Sequence, residues 1–316
     1  MARGAPRNGA HPALTMLAAV LSAALFACSV IFGHRAARLA GSLEANFWRV
    51  VLATLFLAAW AFTFGRGVTG AGLGWFILSG AIGVGLGDFA FYHSLPRLGP
   101  RIASLAGQCL MGVFGLLFDA LWLRTHISAG QLAFSLVALG GVALALGTRE
   151  EIRAHARTLG AGLLLAATGA AATALGAVFS KRAFVEIQAA GATLDGGTAG
   201  FQRMVGGLAV SLLVYAVIRL ARRQPADPVL AIATPERRRA WRWIVLNSLA
   251  GQTLGVSAMQ WALATTNAAL VLVIVATSPV LVIPLARLST GEPITARAVL
   301  GALVSVAGVA GLILVR

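Results

Sequence analysis

The chain of 316 residues is 59% hydrophobic and 11% charged, with 25 basic residues against 10 acidic ones. A water-soluble core is excluded, because so few charges would leave most of the exterior apolar; the surrounding medium is lipid. The net charge of +15 does not point to nucleic acid, since the arginines and the one lysine, Lys181, gather at the ends of apolar runs, where they set topology and anchor headgroups.

A hydrocarbon layer takes about 20 apolar residues to span. Such runs lie near residues 12–33, 45–65, 71–95, 101–123, 128–147, 160–181, 199–220, 241–263, 268–288 and 295–314. They are continuous and rich in Leu and Ala, which predicts an all-α membrane protein with ten transmembrane helices rather than a barrel. Arg3 and Arg7 ahead of the first run, with LFAC ending at Cys28, imitate a cleavable leader. The run continues to Gly33, however, and cleavage would delete a helix that has a repeat partner at 160–181. Cys28 and Cys109 both lie in apolar runs, so no disulfide framework is expected. The longest connection, 221–240, carries Pro225, Pro228 and Pro235 and is too short for a domain.

The last five runs repeat the first five. At a constant offset of 168 residues Trp75 falls on Trp243, Gly83 on Gly251, Gly87 on Gly255, Leu95 on Leu263 and Gly140 on Gly308. Earlier in each half, VIFGHRA (Val30 to Ala36) lies over AVFSKRA (Ala177 to Ala183), and Phe47 to Arg49 over Phe201 to Arg203. Five crossings per half make the repeat inverted. The expected organisation is a tail over 1–11, a first repeat over 12–147, a linker over 148–159 and a second repeat over 160–316. Most arginines fall in the loops opposite the termini, Arg237, Arg238, Arg239 and Arg242 among them, so those loops are expected in the cytoplasm and both termini in the periplasm.

The two-times-five order, an arginine near the start of the second helix of each half (Arg49, Arg203), the pair Ser278–Pro279 and the segment GEPIT from Gly291 to Thr295 resemble the EamA-type branch of the drug/metabolite transporter superfamily. The resemblance covers nearly the whole chain. It implies a secondary transporter of the cell inner membrane, usually an exporter of small metabolites or drug-like molecules, with a central pathway between the halves. The chain departs from the pattern at Met111, which stands where the second half has Pro279, at LRTHIS (Leu123 to Ser128) and at His34, where the second half has Lys181.

Ionisable groups deep in a membrane helix cost roughly 2.5–3.5 kcal/mol and survive facing the bundle interior or a watered cavity. Asp88 is such a group: it reads as a proton acceptor or a counter-charge for cargo, or as a hydrogen-bonded pin between helices. Tyr92 shares its face, and Gln260 is Tyr92's repeat equivalent, so these two are expected to meet at mid-membrane. His93 points away from Asp88 and reads mainly as a packing group. Gln108, Gln252, Gln260 and Asn247 offer neutral hydrogen bonds, either as helix glue or to orient a ligand, and Trp261 offers a flat apolar face for stacking. Arg49 and Arg203 read first as structural residues whose stems snorkel to headgroups, with an anionic cargo group or a helix end as alternative partners. The repeated GxxxG pairs, Gly83–Gly87 and Gly251–Gly255, predict close helix approach. Pro279 and Pro284 predict a bend in the ninth helix that can gate a pathway.

The expected partners are a small-molecule substrate, protons as coupling ions and the bilayer. No P-loop, HExxH or clustered acidic motif is present, so neither ATP hydrolysis nor a cofactor is expected. The expected motion is helices 1 to 5 rocking against 6 to 10. A lipid or lipid-linked sugar flippase shares this architecture. A membrane-embedded lipid-modifying enzyme would need clustered acids, bases or metal ligands, whereas His11, His34, His93, His126 and His155 are scattered.

Overall fold

The computed structural model describes residues 12–123, 128–145, 156–221, 235–265, 274–275, 277–291 and 294–314, and every element in them is helical. In chain order these are α1 (Pro12–Ala40), α2 (Ser42–Thr63), α3 (Leu73–Gly80), α4 (Phe89–Leu123), α5 (Ala129–Ala145), α6 (Ala156–Ala189), α7 (Gly196–Ala221), α8 (Pro235–Asn247), α9 (Val256–Thr265), α10 (Ser278–Thr290) and α11 (Ala296–Leu314). Two π-helical stretches, Ala81–Asp88 and Ser248–Gly255, join α3 to α4 and α8 to α9. Among the described residues, five stretches are long and apolar enough to cross a membrane, namely Leu17–Ala40, Ser42–Thr63, Leu73–Gly115, Thr158–Ala189 and Gly196–Ala221. Shorter apolar helices cover Leu132–Ala145, Ser278–Ser289 and Ala296–Gly311.

Two glycines reverse the chain. Gly41, at φ 89, turns α1 into α2 with a single residue between them. Gly99, at φ 73 between Pro96 and Pro100, breaks α4 into two arms. A Cβ placed on Gly107 would lie 3.3 Å from the Phe91 ring. In a straight helix those two residues would stand about 24 Å apart, so the arms double back.

The duplication read from the sequence reappears as exchanged contacts. Gly83 lies against Gly176, and at the equivalent place Gly251 lies against Ser29. Gly169 meets the Gly87 carbonyl, and Ser22 donates to the Gly255 carbonyl at 2.9 Å. Gly80 abuts the Arg203 carbonyl, and Ser248 donates to the Arg49 carbonyl at 3.0 Å. Swapping the halves turns each contact into its partner, which is the signature of a pseudo-twofold axis. Both π-helical stretches also occupy the same place in their repeats.

The repeats interlock. The first helix of each packs on the third of the other: α6 lies along α3 and the first arm of α4, and α1 lies along α8 and α9. Small residues permit this closeness, since apolar helices in lipid gain association mainly through tight backbone packing. The same device joins α5 to α11, where Gly141 meets Gly301 and Ser305, and Gly308 meets Ala138. The contacts group α1, α2, α8 and α9 as one set, and α3, the first arm of α4, α6 and α7 as another, with α2 lying along α7 where the two sets meet. The sequence halves are therefore not the packed bodies.

At the start of α7, Asp195 accepts from the Thr198 backbone N–H at 2.9 Å and from the Trp60 indole at 2.9 Å, capping the helix and tying it to α2. Burial opposes its charge, but the Thr198 hydroxyl and N–H and the Trp60 indole outweigh that and hold the carboxyl below the usual carboxylate range.

Candidate functional site: a polar ladder between two packed sets

The π-helical stretch AIGVGLGD ends on Asp88, and this wider helix form recurs at functional positions. Asp88 does not face lipid. Its Oδ2 accepts from the Arg49 guanidinium at 2.6 Å and from the Gln252 amide at 2.8 Å. Arg49 also donates to Asn46 Oδ1 at 2.9 Å and lies over the Tyr92 ring, 4.6 Å from its centroid. The Tyr92 hydroxyl accepts from the Asn247 amide, whose Oδ1 accepts from the Ser29 hydroxyl at 2.7 Å.

The ladder runs Ser29, Asn247, Tyr92, Arg49, Asp88, Gln252. From Asn247 onward its rungs alternate between the two packed sets, for Asp88 and Tyr92 belong to one, and Arg49, Asn247 and Gln252 to the other. Removing water from two charges is expensive, and a short ion pair with further hydrogen bonds is the arrangement that offsets it.

Arg203 comes to the same region. It is 7% exposed, and its terminal nitrogen would lie 3.7 Å from a Cβ on Gly83. Its Nε has no hydrogen-bond partner among the described residues.

Several expectations change. Arg49 is 2% exposed and Arg203 nearly as buried, so neither snorkels to a headgroup. Tyr92 meets Asn247, not Gln260. Gln260 is fully buried where α9 crosses the start of α7 at Gly196, and its amide has no partner among the described residues. It lies about 12 Å along the helix from Gln252. Trp261 is 49% exposed on the outside of α9 and offers no stacking face to the ladder. The His93 ring bonds the Phe89 carbonyl at 2.8 Å and packs on the Phe89 ring, so it serves its own helix. Gln108 is half-buried near the Gly99 reversal, with its Oε1 unpartnered among the described residues.

Pro279 is buried and occupies the first turn of α10, where its missing N–H costs nothing; Ile274 and Val275 just before it are helical as well. Pro284 lies inside α10 on the exposed face. Residues 266–273, the first part of the expected ninth span, lie outside the described residues, as do 124–127, 146–155 and 222–234.

The Arg49–Asp88 pair was missed in the sequence although a signal existed. Counted from the same membrane face, Arg49 lies about 10 Å along α2 from Ser42 and Asp88 about 15 Å from Leu98. An arginine stem covers that difference. Pairing deep charges of opposite sign by depth would have found it.

No curated protein matches the chain. Solved structures do, 28 chains in all, among them a crystal structure 17% identical that aligns over 95% of this chain and 96% of its own with a TM-score of 0.61. That likeness shows the fold. A family profile for EamA-like transporters matches twice, over residues 13–147 and 160–314. The chain belongs to the EamA-like transporter family, and is a membrane transporter of the drug/metabolite superfamily.

Proposed function

We propose that the chain is a secondary active exporter of a small molecule in the inner membrane, with ten crossings and both termini in the periplasm. The two packed sets rock about the pseudo-twofold axis and expose the site to each side in turn. The observation that carries this reading is the ladder itself. Asp88 is held from one set to the other by Arg49 and Gln252, at a depth where unmatched charges are costly.

Such a contact acts as a latch. A proton on Asp88 removes the ion pair with Arg49 and leaves Gln252 only a neutral carboxyl to donate to, so proton arrival is linked to separation of the sets. Cargo then meets the freed groups, and its departure lets the pair reform. A ligand shifts the balance between the two arrangements only by its difference in affinity for them, and a latch that exists in one arrangement supplies that difference.

The test is flux from proteoliposomes with and without a pH gradient. Wild-type protein is expected to accumulate cargo against its gradient when protons flow the other way, and Asp88→Asn to lose that accumulation while still exchanging cargo. Normal gradient-driven accumulation by Asp88→Asn would defeat the coupling role. Movement of labelled lipid in place of soluble cargo would replace the exporter by a flippase.

A further inference from the structure

We infer that the cargo carries an acidic group, a carboxylate or a phosphate-type anion, which enters through an arginine-lined cleft and docks at Arg203. The inference rests on the transporter reading and adds to it the charge of what is carried.

A cleft of ≈ 670 Å³ opens at the arginine-rich end of the molecule, where the end of α1, the start of α8 and the end of α10 meet. Arg35, Arg38, Arg239 and Arg242 line it, and no acidic residue among the described ones does. Arg35 is committed to structure: it donates to the Ser289 hydroxyl at 2.7 Å and carbonyl at 2.8 Å and lies over the Trp243 ring. Arg38, Arg239 and Arg242 are exposed. Like charges in a concave surface with low-dielectric walls focus the field and raise the local concentration of anions.

The cleft adjoins the ladder. His34 and Leu246 line it, and the residues beside them, Gly33 and Asn247, contact Tyr92. A Cβ on Gly33 would come within 2.7 Å of the Tyr92 hydroxyl, so the cleft wall and the ladder are one helix residue apart.

At the ladder the charges do not balance. Asp88 is engaged by Arg49 and Gln252 through one oxygen; Arg203 is buried beside Gly83, and its Nε, like that of Arg49, has no hydrogen-bond partner among the described residues. A second guanidinium in the membrane interior needs a counter-ion, and its planar fork fits a carboxylate or phosphate with two parallel bonds. A cationic cargo would instead have to displace Arg49 from Asp88 and then sit beside Arg203. The mouth and the centre thus select the same sign of charge by separate arrangements.

The experiment measures binding to the full-length protein, so it reads independently of flux. An aromatic carboxylate, its amide, the corresponding amine and inorganic phosphate are titrated by calorimetry and thermal shift, in zwitterionic and in anionic lipid nanodiscs. The carboxylate or phosphate is expected to bind and the amide and amine not to. Arg203→Gln should weaken that binding about 10- to 100-fold, with Arg203→Lys retaining part of it. Arg239→Gln with Arg242→Gln, at exposed positions that do not threaten folding, should slow association at low salt and flatten its salt dependence. Amine binding equal to or better than carboxylate binding, unchanged affinity in Arg203→Gln, or salt dependence untouched by the exposed pair would overturn the inference. So would anionic nanodiscs stabilising the protein while no soluble anion binds, which would assign the arginines to lipid headgroups. Intact anion binding without flux would leave this inference standing and sink the transporter reading instead.

Discussion

The two halves share a backbone frame and differ in charge. Arg49 and Arg203 occupy equivalent places, each buried, each beside the π-helical stretch of the opposite repeat. Arg49 has a carboxylate at 2.6 Å in Asp88; the repeat position of Asp88 is Val256, and Arg203 has no short ion pair among the described residues. The frame at the crossing differs too. Ser248 fits its side chain against the Arg49 carbonyl, whereas its equivalent Gly80 leaves no room for one against the Arg203 carbonyl. Duplication therefore preserved the helix crossings, while the buried carboxylate belongs to one half only.

The sharpest way to break this comparison is to delete each arginine in turn. Arg49→Met strands Asp88 in a buried site and should cost about 3–5 kcal/mol of stability, followed by thermal unfolding in detergent. Arg203→Met should cost clearly less, because no short ion pair is lost. Adding Asp88→Asn to Arg49→Met should recover much of the loss, and equal losses for the two arginines would erase the distinction between the halves.

A smaller effect is expected at the crossing. Gly80→Ala drives a methyl into backbone that cannot move aside, and should cost about 1–3 kcal/mol. Ser248→Ala loses a hydrogen bond worth about 0.5–1.5 kcal/mol. Gly74→Ala, where an added Cβ meets nothing within 4 Å, is the control and should not destabilise.

The smallest effect belongs to the α7 cap. Asp195→Ala should cost about 1 kcal/mol. Its folded carboxyl lies below the unfolded value of about 3.9. The cap's contribution is complete above that unfolded value and is lost as pH falls through the folded one. Asp195→Asn should accordingly lower stability slightly at neutral pH, match the wild type in acid and so flatten the acid limb of the stability curve.

Much of this frame was legible in the sequence because it is written in long-range regularities. The constant offset that pairs Trp75 with Trp243 also pairs the π-helical stretches and the crossings at Gly83 and Gly251. Asp88, Tyr92 and Gln252 stood out as polar groups in apolar runs. Their partners did not, for a pattern along one helix says nothing about rotation between helices. Asn247 reached Tyr92 in place of Gln260 because the third helix of one repeat faces the first helix of the other, where Gly33 and Ser29 leave room.

The central claim is that the ladder latches two interlocked sets that move against each other. Spin labels on exposed residues of α1 and α6 test it: Leu39 with Leu164 towards one membrane face, Leu17 with Val185 towards the other, in a chain with Cys28 and Cys109 replaced by alanine. The account predicts that a proton gradient, or Asp88→Asn alone, shifts the two distances in opposite directions. Distances that stay fixed under both, or that change together in the same sense, would contradict it.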